Sequence, residues 1–346
     1  MENKKLNVAV IGCGQIAKMH IPAVLAKKEC NLYAVCDCAE DNRMQLRMEE
    51  VGMPDFCKEH AYTNYMDLVN DPNVDVAIVT TDDYTHAEIT CAFLRAGKHV
   101  LLEKPMALSN EDCLKMLQAE KESGSRLMVG QVVRYNPNFA RAKKMVENGD
   151  IGELVFVESE YAHDYIKSRG YKDWRVTPDR HGIIGGGCHA VDFLRWVAGN
   201  PTEVTAYSNH KYLTEWPADD TTIAIFKFPN NVIGKVFASI GVKRNYTMRT
   251  CLYGTKGTII FESRGTEIFL YQEDHNGNYY TCPRKLATTP KGHNMMDEVK
   301  DFIDAIVQNK PNPISSIEGA STVAVCRAAV ESAQTGAPVK IKYPEV

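Results

Sequence analysis

The stretch VAVIGCGQIAKMH, Val8–His20, decides the fold. Asn7 to Ile11 are nearly all apolar, as expected of a strand buried on both faces, and Gly12, Gly14 and Ala17 follow in the pattern G-x-G-x-x-A. Gly12 permits a tight turn, Gly14 lets backbone approach a pyrophosphate, and Ala17 lets helix and strand pack closely. Gln15 and Ile16 lead into a run able to form a helix, whose free N–H groups and dipole suit phosphate.

About twenty residues on, Leu32 to Cys36 form a second short apolar strand that ends in Asp37. An acid there accepts hydrogen bonds from ribose hydroxyls and repels a 2′-phosphate. Cys38 follows it rather than an arginine, so NAD is expected over NADP, with Arg43 the nearest cation able to change that preference.

Outward from this core, short apolar strands alternate with helical segments to about Val129: Val74 to Thr80, Ala87 to Ala96, His99 to Leu102, Asn110 to Glu122, Arg126 to Val129. Such alternation predicts right-handed crossovers and a doubly wound parallel sheet. Ligands of such sheets bind at the carboxyl ends of the strands, where this chain has Asp37, the loop Thr80–Thr81–Asp82–Asp83–Tyr84–Thr85–His86, and Glu103–Lys104–Pro105. Ser109 with Asp112 reads as a capping box for the next helix.

Beyond Val129 the pattern becomes long alternating runs, from Glu153 to Tyr161 through Glu267 to Gln272, with turns at Pro229–Asn230–Asn231 and Gly254 to Gly257. Alternation buries one face and exposes the other. The expectation is an α/β chain of two domains, residues 1–125 with the parallel sheet and residues 126–346 forming an α+β domain with a large, mostly antiparallel, open-faced sheet. Val299, Phe302, Ile303, Ile306 and Val307 mark a helical stripe, and Ser315 with Glu318 opens a last helix that stops at Gly336.

The chain has 346 residues and a net charge of −4 with both signs interspersed, so neither nucleic acid nor a membrane surface is an expected partner. No apolar run approaches the ~18 residues of a membrane span, and the start MENKK lacks a signal peptide's hydrophobic region. The protein is expected in the cytoplasm. Its eleven cysteines are scattered without a C-x-x-C pair, as suits reduced structural thiols.

Two groups carry the chemistry. Lys104 follows a strand directly, where an amine can hydrogen-bond a substrate hydroxyl and stabilise an alkoxide; an exposed loop lysine paired with Glu103 is the ordinary outcome of that tripeptide. In GGGCHAVDFLRW, Gly185–Trp196, the glycines allow close backbone approach, His189 suits general acid/base work, and Asp192 three residues on is placed to orient it. Tyr161, His163, Tyr165, Tyr171, Trp174, Arg175 and His181 crowd the stretch before the glycines, offering the aromatic faces and polar groups of a sugar site. No metal is expected, because His163, His181 and His189 contain no short-spaced ligand pair.

Taken together, VAVIGCGQIA, EKP (Glu103–Pro105), RYNP (Arg134–Pro137) with NGDIGEL (Asn148–Leu154), GGGCHAVDFLRW and YGTKGTI (Tyr253–Ile259) resemble the Gfo/Idh/MocA family of nicotinamide-dependent oxidoreductases, over residues 6 to about 340. The resemblance implies a Rossmann domain, a tightly held NAD(P), sugar or polyol substrates, and homodimers or homotetramers formed through the open sheet. Carried over by position, Lys104 matches the lysine of E-K-P, His189 the histidine of the second-domain motif, Asp192 the acid after it, and His86 the histidine of the loop that begins Thr80–Thr81. Two departures stand out: Thr80–Thr81–Asp82 replaces the usual T-P-N, and Gly185 stands where many sugar dehydrogenases of the family have an aspartate.

The leading expectation is an NAD-dependent oxidoreductase that removes hydride from a secondary hydroxyl of a sugar, polyol or glycoside, with Lys104 and His189 handling the proton. Gly185 leaves open a redox-neutral glycosidase, working by transient oxidation, elimination, water addition and re-reduction. A non-catalytic dinucleotide-binding regulator is the third reading, against which Lys104 and His189 argue.

Overall fold

The computed structural model describes residues 5–39, 41–169, 174–273, 277–278, 282–289 and 292–345. Tyr171, expected among the sugar-facing aromatics, lies outside the described residues. The chain divides into two compact units, residues 1–131 with 294–320 and 344–346, and residues 132–293 with 321–343.

The first unit holds six parallel strands, β1 (Leu6–Ile11), β2 (Cys30–Cys36), β3 (Ala61–Tyr62), β4 (Val76–Val79), β5 (His99–Leu102) and β6 (Leu127–Val129), in the order β3-β2-β1-β4-β5-β6. The order reverses between β1 and β4, which makes the carboxyl ends of those strands the ligand-binding edge of the sheet. Every residue of β4 and the last four of β1 are buried, as strands covered on both faces require. Ser109 caps the helix Asn110–Ser123 by accepting the Asp112 N–H at 3.1 Å, and Gly124 ends it at φ 69°. The amphipathic helix Met295–Val307 returns to this unit and packs along the helix Ala17–Ala26, pinned there by Lys27 Nζ donating to Asp304 Oδ1 at 2.6 Å.

The second unit is built on a nine-stranded sheet: β7 (Leu154–Ala162), β8 (Glu203–Asn209), β9 (Thr221–Lys227), β10 (Ile233–Ser239), β11 (Arg249–Gly254), β12 (Gly257–Glu262), β13 (Glu267–Gln272), β14 (Arg284–Ala287) and β15 (Val339–Lys340). The order is β14-β13-β12-β11-β7-β10-β9-β8-β15, antiparallel throughout except for the β7–β10 pair. The helix Cys188–Ala198 packs on β7 and β10, where Phe139, Phe193 and Phe261 meet edge to face with centroids 4.7–6.1 Å apart. On the opposite face Tyr207, Ile223, Ile225, Ile233, Tyr253 and Tyr271 are exposed, so the sheet is open on one side. No helix among the described residues is long and apolar enough to cross a membrane.

Candidate functional site

In the first unit the turn after β1 is tied between its neighbours: the Gly12 N–H donates to Cys36 O at 2.7 Å, and the Thr80 hydroxyl donates to Gly12 O at 2.5 Å. Gly12 has φ 91°, and a Cβ there would lie 2.7 Å from Thr80 O, so only glycine fits. A Cβ on Gly14 would meet nothing within 4 Å, which leaves open space in front of the loop. Past Gln15 and Ile16, the helix Ala17–Ala26 begins with no side-chain cap and no acid in its first turn, so its positive end is available to an anion.

Asp37 stands beside this loop. Its Oδ2 accepts the Cys13 N–H at 2.7 Å and its Oδ1 the Ala39 N–H at 2.9 Å, fixing the carboxylate at the end of β2. Arg43 comes within 3.8 Å of Asp37 but is held by a bidentate pair to Asp41, Nε to Oδ1 and Nη2 to Oδ2, both 2.7 Å. That engagement removes the nearest candidate for a 2′-phosphate. Cys13 is buried in the loop, and burial, with the Asp37 charge second, pushes its thiol far above the ordinary range, so it is unreactive there.

Thr81 and His86 complete the edge at β4. The fully buried His86 sets Nδ1 2.9 Å from Pro105 O and Nε2 3.3 Å from Thr81 O, linking the Thr80–His86 loop to the E-K-P turn, whose Lys104–Pro105 bond is cis. Glu103 does not pair with the Lys104 ammonium. Its Oε1 takes Nε2 of His20 at 2.9 Å and its Oε2 takes the Lys104 backbone N–H at 3.1 Å. Burial opposes the Glu103 charge, but the His20 hydrogen bond and the charges of His20 and Lys104 outweigh it and hold the carboxyl at about 2. The half-buried Lys104 amine thus follows β5 with its own carboxylate neighbour engaged elsewhere.

In the second unit the glycine run is explained by what fills its missing side chains. A Cβ on Gly185 would lie 2.1 Å from Nη1 of Arg180, one on Gly186 2.2 Å from Cε1 of Tyr161, and one on Gly187 2.6 Å from the Ala238 Cβ. Arg180 is 3% exposed, donates from Nη2 to Gly185 O at 3.4 Å, and lies over the Trp174 ring at 5.1 Å; Arg175 covers the same ring at 4.0 Å.

On the other side of the glycines the structure brings Tyr161, His163, Tyr165 and His189 together, with Tyr246 and His293 as further members. The Tyr161 and Tyr165 hydroxyls are 3.2 Å apart, and His189 stacks on Tyr161 at 6.0 Å and meets His293 edge-on at 5.3 Å. Tyr246 packs on Tyr161, His163 and His293. Burial, then Tyr165 and Tyr246, raise the Tyr161 phenol well above its ordinary value, so it stays a neutral donor and acceptor.

His181 and Asp192 are turned elsewhere. Nδ1 of His181 accepts the Asp219 N–H at 3.3 Å, and burial, opposed by Asp219, lowers its pKa. Asp192 is fully buried and receives Arg134 in a bidentate pair, Nε to Oδ2 at 2.9 Å and Nη2 to Oδ1 at 2.7 Å, with the Thr322 hydroxyl on Oδ1 at 3.2 Å. None of its hydrogen bonds among the described residues reaches His189, so it anchors Arg134 to the helix instead of orienting the imidazole. Arg180, Tyr246 and His293 escape a reading of local motifs because each comes from a separate loop; the glycine at 185 hints at a close neighbour, which proves to be Arg180, and nothing in the run points to the other two.

A strand–glycine turn–helix unit at the switch point of a doubly wound sheet, with an acid ending the next strand, defines a dinucleotide-binding protein. The chain belongs to the GFO/IDH/MocA oxidoreductases: the model of the oxidoreductase family with NAD-binding Rossmann fold matches residues 6–131, and that of the GFO/IDH/MocA C-terminal domain residues 139–260. NAD is the cofactor of this Rossmann domain.

The myo-inositol 2-dehydrogenase of Thermotoga maritima is 27% identical, over 97% of this chain and 99% of its own. Inositol 2-dehydrogenase 2 of Saccharopolyspora erythraea is 28% identical, over 97% and 96%. A solved levoglucosan dehydrogenase, in complex with NADH and L-sorbose, shares the fold with a TM-score of 0.88 over 98% of this chain and 99% of its own, at 23% identity.

Proposed function

We propose that this oxidoreductase removes hydride from a secondary hydroxyl of a cyclic polyol, sugar or glycoside, with Lys104 as proton acceptor. The observation that carries the reading is Lys104 itself: a half-buried amine at the carboxyl end of β5, beside a carboxylate held by His20, in the unit that carries the glycine loop and Asp37. NAD, when bound, supplies the hydride acceptor, and Gly12, Gly14, Gln15, Ile16, Asp37, Thr80, Thr81, His86 and Glu103 shape its place. The substrate hydroxyl donates to the Lys104 amine, which takes its proton and then donates back to the substrate oxygen as charge develops there.

Tyr161, His163, Tyr165, Trp174 and Arg175 offer the ring faces and hydrogen bonds of polyol recognition, with His189 the second proton-handling group. Inositol and levoglucosan dehydrogenases among the relatives support this substrate class. The test is a panel of myo-inositol, levoglucosan, free pyranoses and aryl glycosides, followed by NADH formation; no turnover of any of them would refute it.

A second reading, the redox-neutral glycosidase, is favoured by Arg180, whose guanidinium takes the space of a Gly185 side chain and provides positive charge for an enolate. It is supported by aglycone release in D2O without added NAD, with deuterium entering beside the oxidised carbon and NAD retained through purification. Stoichiometric NADH with the glycosidic bond intact refutes it.

The exposed apolar residues Tyr207, Ile223, Ile225, Ile233, Tyr253 and Tyr271 support a homodimer or homotetramer built on the open sheet, to be read by light scattering. Eleven unbridged cysteines support a reducing, cytoplasmic setting.

A further inference from the structure

The ring cluster of the second unit carries a charged group that the reaction outlined above leaves unused. Arg264, in the turn between β12 and β13, lays its guanidinium over the Tyr246 ring at 5.1 Å. It is exposed, and no carboxylate among the described residues lies within ion-pair reach of it. The two acids nearest in sequence are directed elsewhere, Glu262 to Arg244 at 4.0 Å and Glu267 to Lys285 at 3.4 Å.

Beside Arg264 is a recess of about 20 Å³, with Tyr246, His293, Asn136 and Ser263 also in its lining and no acid among the residues that form it. That volume admits one small polar group, not a sugar ring. Asn136 Nδ2 donates to Ser263 O at 3.2 Å and Ser263 Oγ accepts the Met248 N–H at 3.2 Å, so these two hold the wall together. Burial, and then Tyr165, raise the Tyr246 phenol far above its ordinary value, with Arg264 opposing, so Tyr246 keeps its proton to donate. Two members of the recess belong to the rings already described: Tyr246 packs on Tyr161 at 5.4 Å and on His163 at 5.3 Å, and His293 meets His189 at 5.3 Å.

A guanidinium has five N–H donors and no acceptor, so a recess with a guanidinium and a phenol in its lining, and no carboxylate, suits a ligand group rich in acceptors. A neutral hydroxyl meets one such donor. A carboxylate meets the planar fork with two parallel charge-assisted bonds, and a phosphoryl group carries similar charge in a larger, tetrahedral shape. Stacking on Tyr246 holds the guanidinium before the ligand arrives, which lowers the cost of ordering it on binding.

We propose that Arg264 is a specificity-determining residue that binds a carboxylate of the substrate, so that the preferred substrate is a uronic acid or its glycoside rather than a neutral polyol. This rests on the reading of the second-unit rings as the sugar site and narrows its substrate class.

The test compares matched sugars on NAD-loaded enzyme: glucuronate with glucose, galacturonate with galactose, and methyl glucuronide with methyl glucoside, with glucose 6-phosphate as the phosphate arm. kcat/KM is expected to favour the carboxylate member by about tenfold or more in at least one pair. Arg264→Gln lowers that ratio by about tenfold to a hundredfold, chiefly through KM, and Arg264→Lys, which keeps the charge and loses the fork, restores part of it. The affinity of NADH-loaded enzyme for each sugar, read by nicotinamide fluorescence, follows the same order without requiring turnover. A ratio of one or less in every pair, an unchanged ratio in Arg264→Gln, or a preference for glucose 6-phosphate over glucuronate overturns the proposal. If no sugar is oxidised but a uronate binds with an affinity that depends on Arg264, the hydride-transfer reading fails and the carboxylate site stands.

Discussion

Gly185 is glycine because Arg180 occupies its side-chain space: a Cβ there would sit 2.1 Å from the Arg180 Nη1 and 2.5 Å from its Cζ. The two positions are one unit of design, a buried cation packed against bare backbone. Gly185→Ala forces Arg180 off Trp174 and is expected to cost about 1–3 kcal/mol of stability, the usual range for overpacking. In an Arg180→Ala background the same substitution costs less, and a urea double-mutant cycle measures the difference. Equal costs in both backgrounds would show that the two positions are independent.

Asp192 is expected to act through stability. Removing one partner of a buried ion pair costs about 3–5 kcal/mol, so Asp192→Ala lowers the denaturation midpoint strongly while the pH dependence of kcat keeps its wild-type shape. A shifted pH limb in this variant would restore Asp192 as the group orienting His189.

The buried carboxyls Glu103 and Glu298 bend the pH–stability curve in opposite directions. Glu103, held at about 2, contributes stability that is complete above its ordinary value of 4.5 and is lost as the pH falls toward about 2. Glu298, raised, contributes stability that is complete below 4.5 and is lost as the pH rises through its folded value. Thermal melts across pH should show Glu103→Gln flattening the acid limb and Glu298→Gln the alkaline limb.

Asp37 is expected to govern cofactor choice. Asp37→Asn weakens hydrogen bonds to a charged acceptor, so NADH affinity falls by about tenfold or more, and discrimination against NADPH narrows. Fluorescence titration of both nucleotides checks this; unchanged affinities would remove Asp37 from the ribose.

Much of this was legible in the sequence. The glycine turn, the apolar strands and the acid after β2 are local consequences of short-range sterics and burial, so Gly12, Gly14 and Asp37 could be placed from spacing alone. The open sheet was legible from strict alternation. What the chain does not carry locally is which surface a helix chooses: the stripe through Val299, Phe302 and Ile303 announces a buried face, but not that it packs on Ala17–Ala26 and puts Glu298 against Glu103. Asp192 shows the same limit, since its spacing from His189 suits a hydrogen bond and only the tertiary structure reveals that Arg134, 58 residues earlier, takes both oxygens. Arg180 was hidden for a like reason, because a glycine records that something is close without naming it.

The central claim is that Lys104 accepts the proton of a substrate hydroxyl as hydride departs. Its most direct measurement is kcat for Lys104→Ala on the fastest panel substrate, alongside NADH affinity of the same variant. The account predicts a fall in kcat of about 10²- to 10⁴-fold with NADH binding unchanged, and a slower wild-type reaction when the carbinol hydrogen is deuterium. A variant that binds NADH and turns over at the wild-type rate would contradict it.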